Sequence, residues 1–192
     1  SHGLTDNKSK SKTHFFSKSD VNLNLENFDF GNINFQLQQT SNKTYLKTYK
    51  PSSPLITDNS ALNSYLKLEL YDEDLSIDAS TEVFEDLSKG ESDKYEYVLP
   101  NFDITKRINL NNLAGDFYIK TSGNQKLYNT NIKESLLVND IIYESKKFFT
   151  EGGLINNFDF ILKNVNTDAN NSNNVKNKKD SNLLSSIMLT TS

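Results

Sequence analysis

The sequence predicts an all-β fold, an antiparallel meander of about nine strands. Apolar and polar residues alternate along many short runs, which is the period-two pattern of a strand with two different faces. Turn residues separate these runs. No apolar run approaches the length of a transmembrane helix. Ser135–Lys147 is the only stretch that could be read as an amphipathic helix.

The first predicted strands are Val21–Leu25 and Asn32–Gln38. In the second, Ile33, Phe35 and Leu37 share one face of the strand. The opposite face carries asparagine and glutamine, which suit a water-filled interior as well as an open surface.

A β-hairpin is predicted around the acidic turn Asp72–Asp74. Before the turn, the run from Tyr65 to Leu70 places leucines opposite Lys67 and Glu69. After it, the run from Leu75 to Val83 alternates again. Two alternating runs joined by a tight turn are typical of a hairpin.

Later runs extend the same pattern. Tyr95–Ile104 is predicted to be a strand with Pro100 at a bulge or near a strand end, because proline cannot donate to the ladder. The remaining predicted strands are Leu113–Thr121, Leu136–Lys147, Leu154–Val165 after the turn at Gly152-Gly153, and Leu183–Leu189.

The connections differ in length. Asp72–Asp74 and Gly152-Gly153 are tight turns, whereas Thr40–Ala61 and Thr167–Asn182 are long polar loops. Short turns combined with long loops are typical of outer-membrane barrels, and several runs reach the ~9–11 residues that a tilted strand needs to cross a bilayer. The chain does not begin with Met and ends in a strand-like run, so we expect residues 1–192 to be an internal fragment of one barrel domain.

The residues that could carry chemistry favour no reaction. The chain has no Cys, and its two histidines, His2 and His14, lack a second ligand at a suitable spacing. Asp78 and Glu82 lie on one face of a predicted strand, where the polar side of a half-wet strand explains them. We therefore expect no catalytic, cofactor-binding or metal-binding residue, and a protein that is not an enzyme.

The charges exclude one class of partner and suggest another. A net charge of −4 disfavours a nucleic-acid-binding protein. Small basic runs occur in polar segments, at Lys8, Lys10 and Lys12 and again at Lys176, Lys178 and Lys179. We expect solvated loops there, which in an outer-membrane protein could meet anionic lipid headgroups.

The run from Gln36 to Tyr49, which reads QLQQTSNKTYLKTY, resembles a segment of the lipopolysaccharide-assembly outer-membrane proteins of LptD type. In that family a strand ends in a polar stretch that is followed by an aromatic/Leu pair and a second aromatic residue. Further features follow in the family's order. They are the hairpin of Leu62–Leu70 and Leu75–Val83, the strand Tyr95–Phe102, the strand at Ala114–Phe117 and the Gly152-Gly153 turn.

The resemblance covers the chain from about Thr13 to Ser192. It implies a very large barrel in the outer membrane of Gram-negative bacteria that delivers lipopolysaccharide to the outer leaflet. It also implies a small plug lipoprotein and periplasmic bridge proteins as partners. The high Asn and Lys content and the long Asn-rich loops depart from the family pattern.

In a barrel wall, one side of each strand would face lipid and the other the lumen. The side chains expected to face lipid are Ile33, Phe35, Leu37, Leu66, Leu68, Leu70, Leu75, Ile77 and Val83. Those expected to face the lumen are Asn32, Asn34, Gln36, Lys67, Glu69, Ser76, Asp78, Ser80 and Glu82.

The alternative that the sequence leaves open is a soluble or surface-exposed all-β binding or adhesion module, in which two apolar faces pack against each other. A polysaccharide hydrolase is disfavoured because no acid/base pair stands out.

Overall fold

The alternating runs form strands in a computed structural model, which describes residues 4–5, 11–56, 58–90, 93–110, 114–128 and 131–191. A short pair of strands near the N-terminus comprises β1 (Leu4–Thr5) and β2 (Ser11–Lys12). The other strands are β3 (His14–Asn22), β4 (Phe30–Thr40), β5 (Ala61–Tyr71), β6 (Leu75–Asp86), β7 (Tyr95–Ile108), β8 (Gly115–Tyr128), β9 (Ile132–Ser145), β10 (Phe148–Phe149), β11 (Ile155–Asn170) and β12 (Asp180–Thr191).

Strands β3 to β12 form one antiparallel sheet of ten strands in meander order. Each strand pairs with the next along the chain, except that β9 pairs with β11 and not with the two-residue β10, which pairs with the start of β11. The sheet is not closed into a barrel, and β3 and β12 are its two edges. The predicted all-β antiparallel meander is therefore confirmed.

Most predicted strands are present, but the observed ones are longer. β8 continues to Tyr128 and β11 to Asn170, so the predicted loop Thr167–Asn182 shrinks to 171–179. These extensions, residues 122–128 and 166–170, are mostly polar and carry no apolar alternation, so the sequence did not predict them to be strand. The ambiguous stretch Ser135–Lys147 lies mostly in β9. Of Val21–Leu25, only the first two residues belong to a strand, and Leu113 lies outside the described residues.

Pro100 lies at a β-bulge, as the sequence predicts. The register of β7 shifts between Val98 and Asn101 against both neighbouring strands. A bulge leaves residues out of the ladder, so the missing N–H of proline costs no hydrogen bond there.

The segment predicted as the long polar loop Thr40–Ala61 connects β4 to β5, and it contains a short helix, α1 (Tyr45–Tyr49). Asn42 begins the turn, its Oδ1 accepting hydrogen bonds from the N–H of Thr44 (2.8 Å) and from the Thr44 hydroxyl (2.9 Å). Lys50 ends the helix in the left-handed conformation (φ 41°), and its N–H donates to the Leu46 carbonyl. Pro51 follows, as is common after a helix C-terminus.

The two ends of the sheet carry different connections. β4, β6, β8 and β11 end at one end of the sheet, here called the long-loop end, where the connections after them begin. The turns at 72–74 and 150–154 and the connection 23–29 lie at the opposite end, here called the tight-turn end. Both predicted long loops thus share one end, and both predicted tight turns share the other.

Candidate functional site

The register of the sheet separates its side chains into two faces. Ile33 of β4 pairs with Leu68 of β5, and Leu68 pairs with Ala79 of β6. Cross-strand partners project to the same side of a sheet. All nine residues predicted to face lipid therefore lie on one face, here called the apolar face. All nine predicted to face the lumen lie on the other, here called the polar face.

No strand or helix in the described part of the chain packs over the middle of the apolar face. Contacts between strands are concentrated between sheet neighbours, and no second layer of strands packs on either side. Large side chains in the middle of the apolar face are consequently open, with Leu66 49%, Phe35 39% and Phe158 39% exposed. The packing expected of two apolar faces closed on each other is absent from the described residues.

The apolar residues of this face form a belt that crosses the strands obliquely. One row of cross-strand partners runs from Ile33 through Leu68, Ala79, Phe102, Gly123 and Leu137 to Asn166. On β4 the apolar run is centred on Phe35, two residues from this row toward the long-loop end. On β11 it is centred on Phe160, six residues from the row toward the tight-turn end.

The belt therefore shifts by eight residues over the six strand-to-strand steps from β4 to β11. With ~3.4 Å per residue and ~4.8 Å between strands, this shift inclines the strands to the normal of the belt by about 40–45°. The belt residues are Ile33, Phe35, Leu37, Leu66, Leu68, Leu70, Leu75, Ile77, Ala79, Phe102, Ile104, Phe117, Ile119, Ile141, Tyr143, Phe158, Phe160, Leu162, Ile187 and Leu189. On β3 the same face carries Ser17 and Ser19, so the belt is weakest at that edge.

The polar face has a shallow depression of about 410 Å³ across β5 to β9. Its walls carry hydroxyl, amide and charged side chains, including Ser80, Asn101 and Asn124. Ion pairs bridge adjacent strands on this face, Lys67–Glu82 at 3.5 Å and Lys163–Asp140 at 2.8 Å. The depression offers many polar contacts, and its charge is predominantly negative, because four carboxylates (Glu69, Asp78, Glu82 and Asp103) stand against one amine, that of Lys67.

The two carboxylates that the sequence singled out have different partners. Asp78 accepts a hydrogen bond from the Tyr71 hydroxyl (2.5 Å), whereas Glu82 pairs with Lys67 and accepts a hydrogen bond from Ser80 (3.3 Å). Each is engaged by its neighbours on the sheet, as expected for the polar side of a strand.

The remaining candidates have local structural partners. His14 lies in β3, and its Nδ1 is 2.7 Å from the Tyr45 hydroxyl. Asp72 and Leu75 exchange backbone hydrogen bonds across the acidic turn. Among the described residues, no group of three or more His, Asp or Glu side chains could hold a metal ion. His2 lies outside the described residues.

A small apolar core at the long-loop end, here called the cap, was not predicted from the sequence. Its centre is Tyr45, Leu46, Leu62 and Leu87, which are at most 4% exposed, and Phe16, Tyr49 and Ile56 pack against it. The features of the sequence that could have predicted α1 are its three apolar residues at helical spacing, Tyr45, Leu46 and Tyr49, and the Lys50-Pro51 pair that follows them.

The cap forms where β4 and β5 stop pairing, beyond Gln36 and Tyr65. There the side chain of Gln38 replaces the backbone pairing, because its amide N–H donates to the Leu55 carbonyl (2.6 Å) and its amide oxygen accepts from the Asn63 N–H (2.9 Å). Within the same loop, the Ser60 hydroxyl and N–H donate to Asp58 and hold the pKa of that carboxyl below its ordinary value.

No family model matches the chain, and no curated protein matches it. No helix among the described residues is long and apolar enough to span a membrane.

Proposed function

We propose that the sheet is part of the wall of an outer-membrane β-barrel that delivers lipopolysaccharide to the cell surface. The apolar face meets lipid, and the polar face lines an aqueous lumen. The protein that contains this segment is, in this proposal, a translocon component of LptD type with a plug lipoprotein and periplasmic bridge proteins as partners.

The oblique belt is the observation that carries the membrane part of this proposal. Strands of transmembrane barrels tilt by about 35–45° from the membrane normal. A bilayer is flat, so its apolar layer must cut tilted strands at successively shifted positions. The belt inclination of about 40–45° matches this requirement. Strand length agrees as well, since β4 to β9 have 11 to 14 residues and β11 has 16, against the ~9–11 needed to span.

The polar face suits passage of a sugar-bearing lipid headgroup. Amide and hydroxyl side chains exchange hydrogen bonds with sugars as readily as with water. The excess of carboxylates in the depression would not retain an anionic group. The lipopolysaccharide assignment itself rests on the resemblance of residues 36–49 and of the features that follow them.

Cysteine labelling tests the membrane part, because this segment contains no cysteine of its own. Phe35→Cys and Gln36→Cys would be introduced singly into the full-length protein, with any other cysteine removed, and outer membranes treated with a water-soluble maleimide. We expect Gln36→Cys to react and Phe35→Cys to react only after solubilisation in detergent. Equal labelling of both positions in intact membranes, or recovery of the protein in the soluble fraction, contradicts the proposal.

Depletion tests the transport part. Lowering the amount of the full-length protein should reduce lipopolysaccharide at the cell surface, measured by labelling intact cells, while total lipopolysaccharide accumulates inside. Unchanged surface labelling after depletion would contradict lipopolysaccharide as the transported molecule and would leave the proposed barrel unaffected.

A further inference from the structure

The cap presents a stripe of lysines close to the edge of the apolar belt. Lys43, Lys47 and Lys50 are all exposed. Lys47 lies in α1, Lys43 lies two positions before the helix, and Lys50 ends it in the left-handed conformation. Tyr45 and Leu46 of the same segment are buried in the cap, so the cap anchors the short segment that carries the three amines.

These charges are only partly balanced. No salt bridge joins any of the three lysines to another side chain in the described part of the chain. Asp58 and Asp86 are the carboxylates that lie near Lys47. Asp86 is also paired with Lys89, at 3.9 Å. Of the two carboxylates near Lys47, Asp58 is therefore the one that is not already paired with another lysine.

The oblique belt decides which basic segment lies near the membrane surface. On β4 the belt ends at Leu37, six residues before Lys43. On β11 it ends at Leu162, and the strand continues to Asn170 before the loop that carries Lys176, Lys178 and Lys179. At ~3.4 Å per residue, the eight residues from Leu162 to Asn170 span about 27 Å along the strand. With the strand inclined by about 40–45° to the belt normal, that loop lies about 20 Å above the belt edge.

We propose that Lys43, Lys47 and Lys50 bind phosphate-bearing headgroups of the membrane leaflet at the long-loop end, and so fix the height of the sheet in the bilayer. This inference rests on the proposed function. Lysines within a Debye length of an anionic surface are attracted to it, and those about 20 Å away are screened. The loop with three lysines at 176–179 therefore contributes much less, although it carries the same number of amines.

Vesicle binding of the complete chain separates this proposal from the membrane proposal. Association with pure phosphatidylcholine vesicles reports the apolar belt. The additional affinity for vesicles that also contain phosphatidylglycerol reports the lysines, and it should disappear at high salt. Failure to bind phosphatidylcholine vesicles would reject the proposal that the sheet spans the membrane. The contribution of the lysines is measured separately, as the ratio of the affinity for the mixed vesicles to the affinity for pure phosphatidylcholine vesicles.

The decisive variant is Lys43→Gln/Lys47→Gln/Lys50→Gln. We expect it to bind phosphatidylcholine like the unmodified chain and to lose on the order of tenfold to a hundredfold of the additional affinity. The matched control, Lys176→Gln/Lys178→Gln/Lys179→Gln, removes the same charge and should lose less than about threefold. A charge-retaining variant, Lys43→Arg/Lys47→Arg/Lys50→Arg, should keep the affinity, and its loss would point to a damaged cap.

Equal losses in the two glutamine variants would show a general effect of charge and overturn the proposal. So would an unchanged additional affinity in the first variant. The β-sheet signal of each variant in circular dichroism confirms that the sheet has formed.

Discussion

Gln38 connects a loop to two strands at the point where backbone pairing ends. Its amide donates to the Leu55 carbonyl and accepts from the Asn63 N–H, and the residue is 9% exposed. A buried backbone group that loses its partner costs about 1–3 kcal/mol. One side chain therefore decides whether the segment 41–60 stays attached to the sheet.

Replacing Gln38 by Ala should lower the free energy of local opening of this segment by about 2–4 kcal/mol, because two backbone groups lose their partners. Amide hydrogen exchange of the chain in detergent micelles measures this, at Asn63 and along α1. Gln39→Ala is the control, since Gln39 is exposed on the opposite face. Similar protection in both variants would show that the Gln38 bonds do not hold the segment.

Asp58 gives the segment a dependence on pH. Its pKa is lowered in the folded state by the hydroxyl and the N–H of Ser60. A carboxyl with a lowered folded pKa stabilises the fold above its unfolded pKa of ~3.9, and this stabilisation is lost as the pH falls through the folded value. We expect the Ser60 amide to exchange faster, relative to its intrinsic rate, as the pH falls below about 4.

In Asp58→Ala the same amide should exchange fast at all pH values, without the acid step. If the variant keeps the step, another carboxyl is responsible for it.

At the scale of single residues, the sequence predicted the face of the strand on which a side chain lies, but not the residue to which that side chain is hydrogen-bonded. Alternation placed Asp78 and Glu82 on one face, and the structure agrees. The bonds of Gln38 join residues 17 and 25 positions apart along the chain, and no local pattern contains that information.

Between elements, the register determines where the belt lies. Ile33 and Asn166 belong to one row of cross-strand partners, yet only Ile33 lies in the belt. A belt perpendicular to the strands would place both residues at the same depth. In the proposed barrel, an oblique belt would place Ile33 within the lipid and Asn166 above it.

Ile33→Lys should therefore destabilise the membrane-inserted sheet by about 2–4 kcal/mol, whereas Asn166→Lys should cost about 0–1 kcal/mol. Urea unfolding from lipid vesicles measures both in the same experiment. Equal costs at the two positions would mean that the belt is not inclined to the strands.

The hairpin β5–β6 could be predicted with its register, because the tight turn at 72–74 leaves few ways to pair the flanking strands. The position of the belt on each strand could not be predicted from the sequence. It depends on eight successive registers and on the bulge at Pro100, and a shift at any of them moves every later strand. The cap escaped prediction for a related reason, since its residues come from β3, α1, β5 and the turn after β6.

For the whole molecule, the free edges are the main vulnerability. β12 exposes apolar side chains on both faces, with Leu183, Leu184, Ile187, Met188 and Leu189 between 56% and 74% exposed. Its outer edge has no strand partner in the described part of the chain. A long apolar edge strand is a template for pairing with another strand.

The chain alone in detergent-free buffer should therefore self-associate, and Ile187→Lys should lower its apparent mass in light scattering. Ser185→Lys, on the same face of the same strand, is the control and should have a smaller effect, because it removes no apolar surface. A monodisperse monomer of the unmodified chain would instead favour a soluble binding module.

The inclination of the belt also limits how such a wall can be rearranged. From β4 to β11, the apolar residues of each strand lie a little more than one residue closer to the tight-turn end than those of the strand before it. A hairpin moved or duplicated elsewhere in the wall would thus have its apolar residues at the wrong height relative to the belt, even if every backbone hydrogen bond formed. Growth of the wall by strand pairs requires each added pair to carry its apolar run displaced by about two to three residues. Modular exchange of hairpins between walls is therefore restricted to equivalent positions around the circumference.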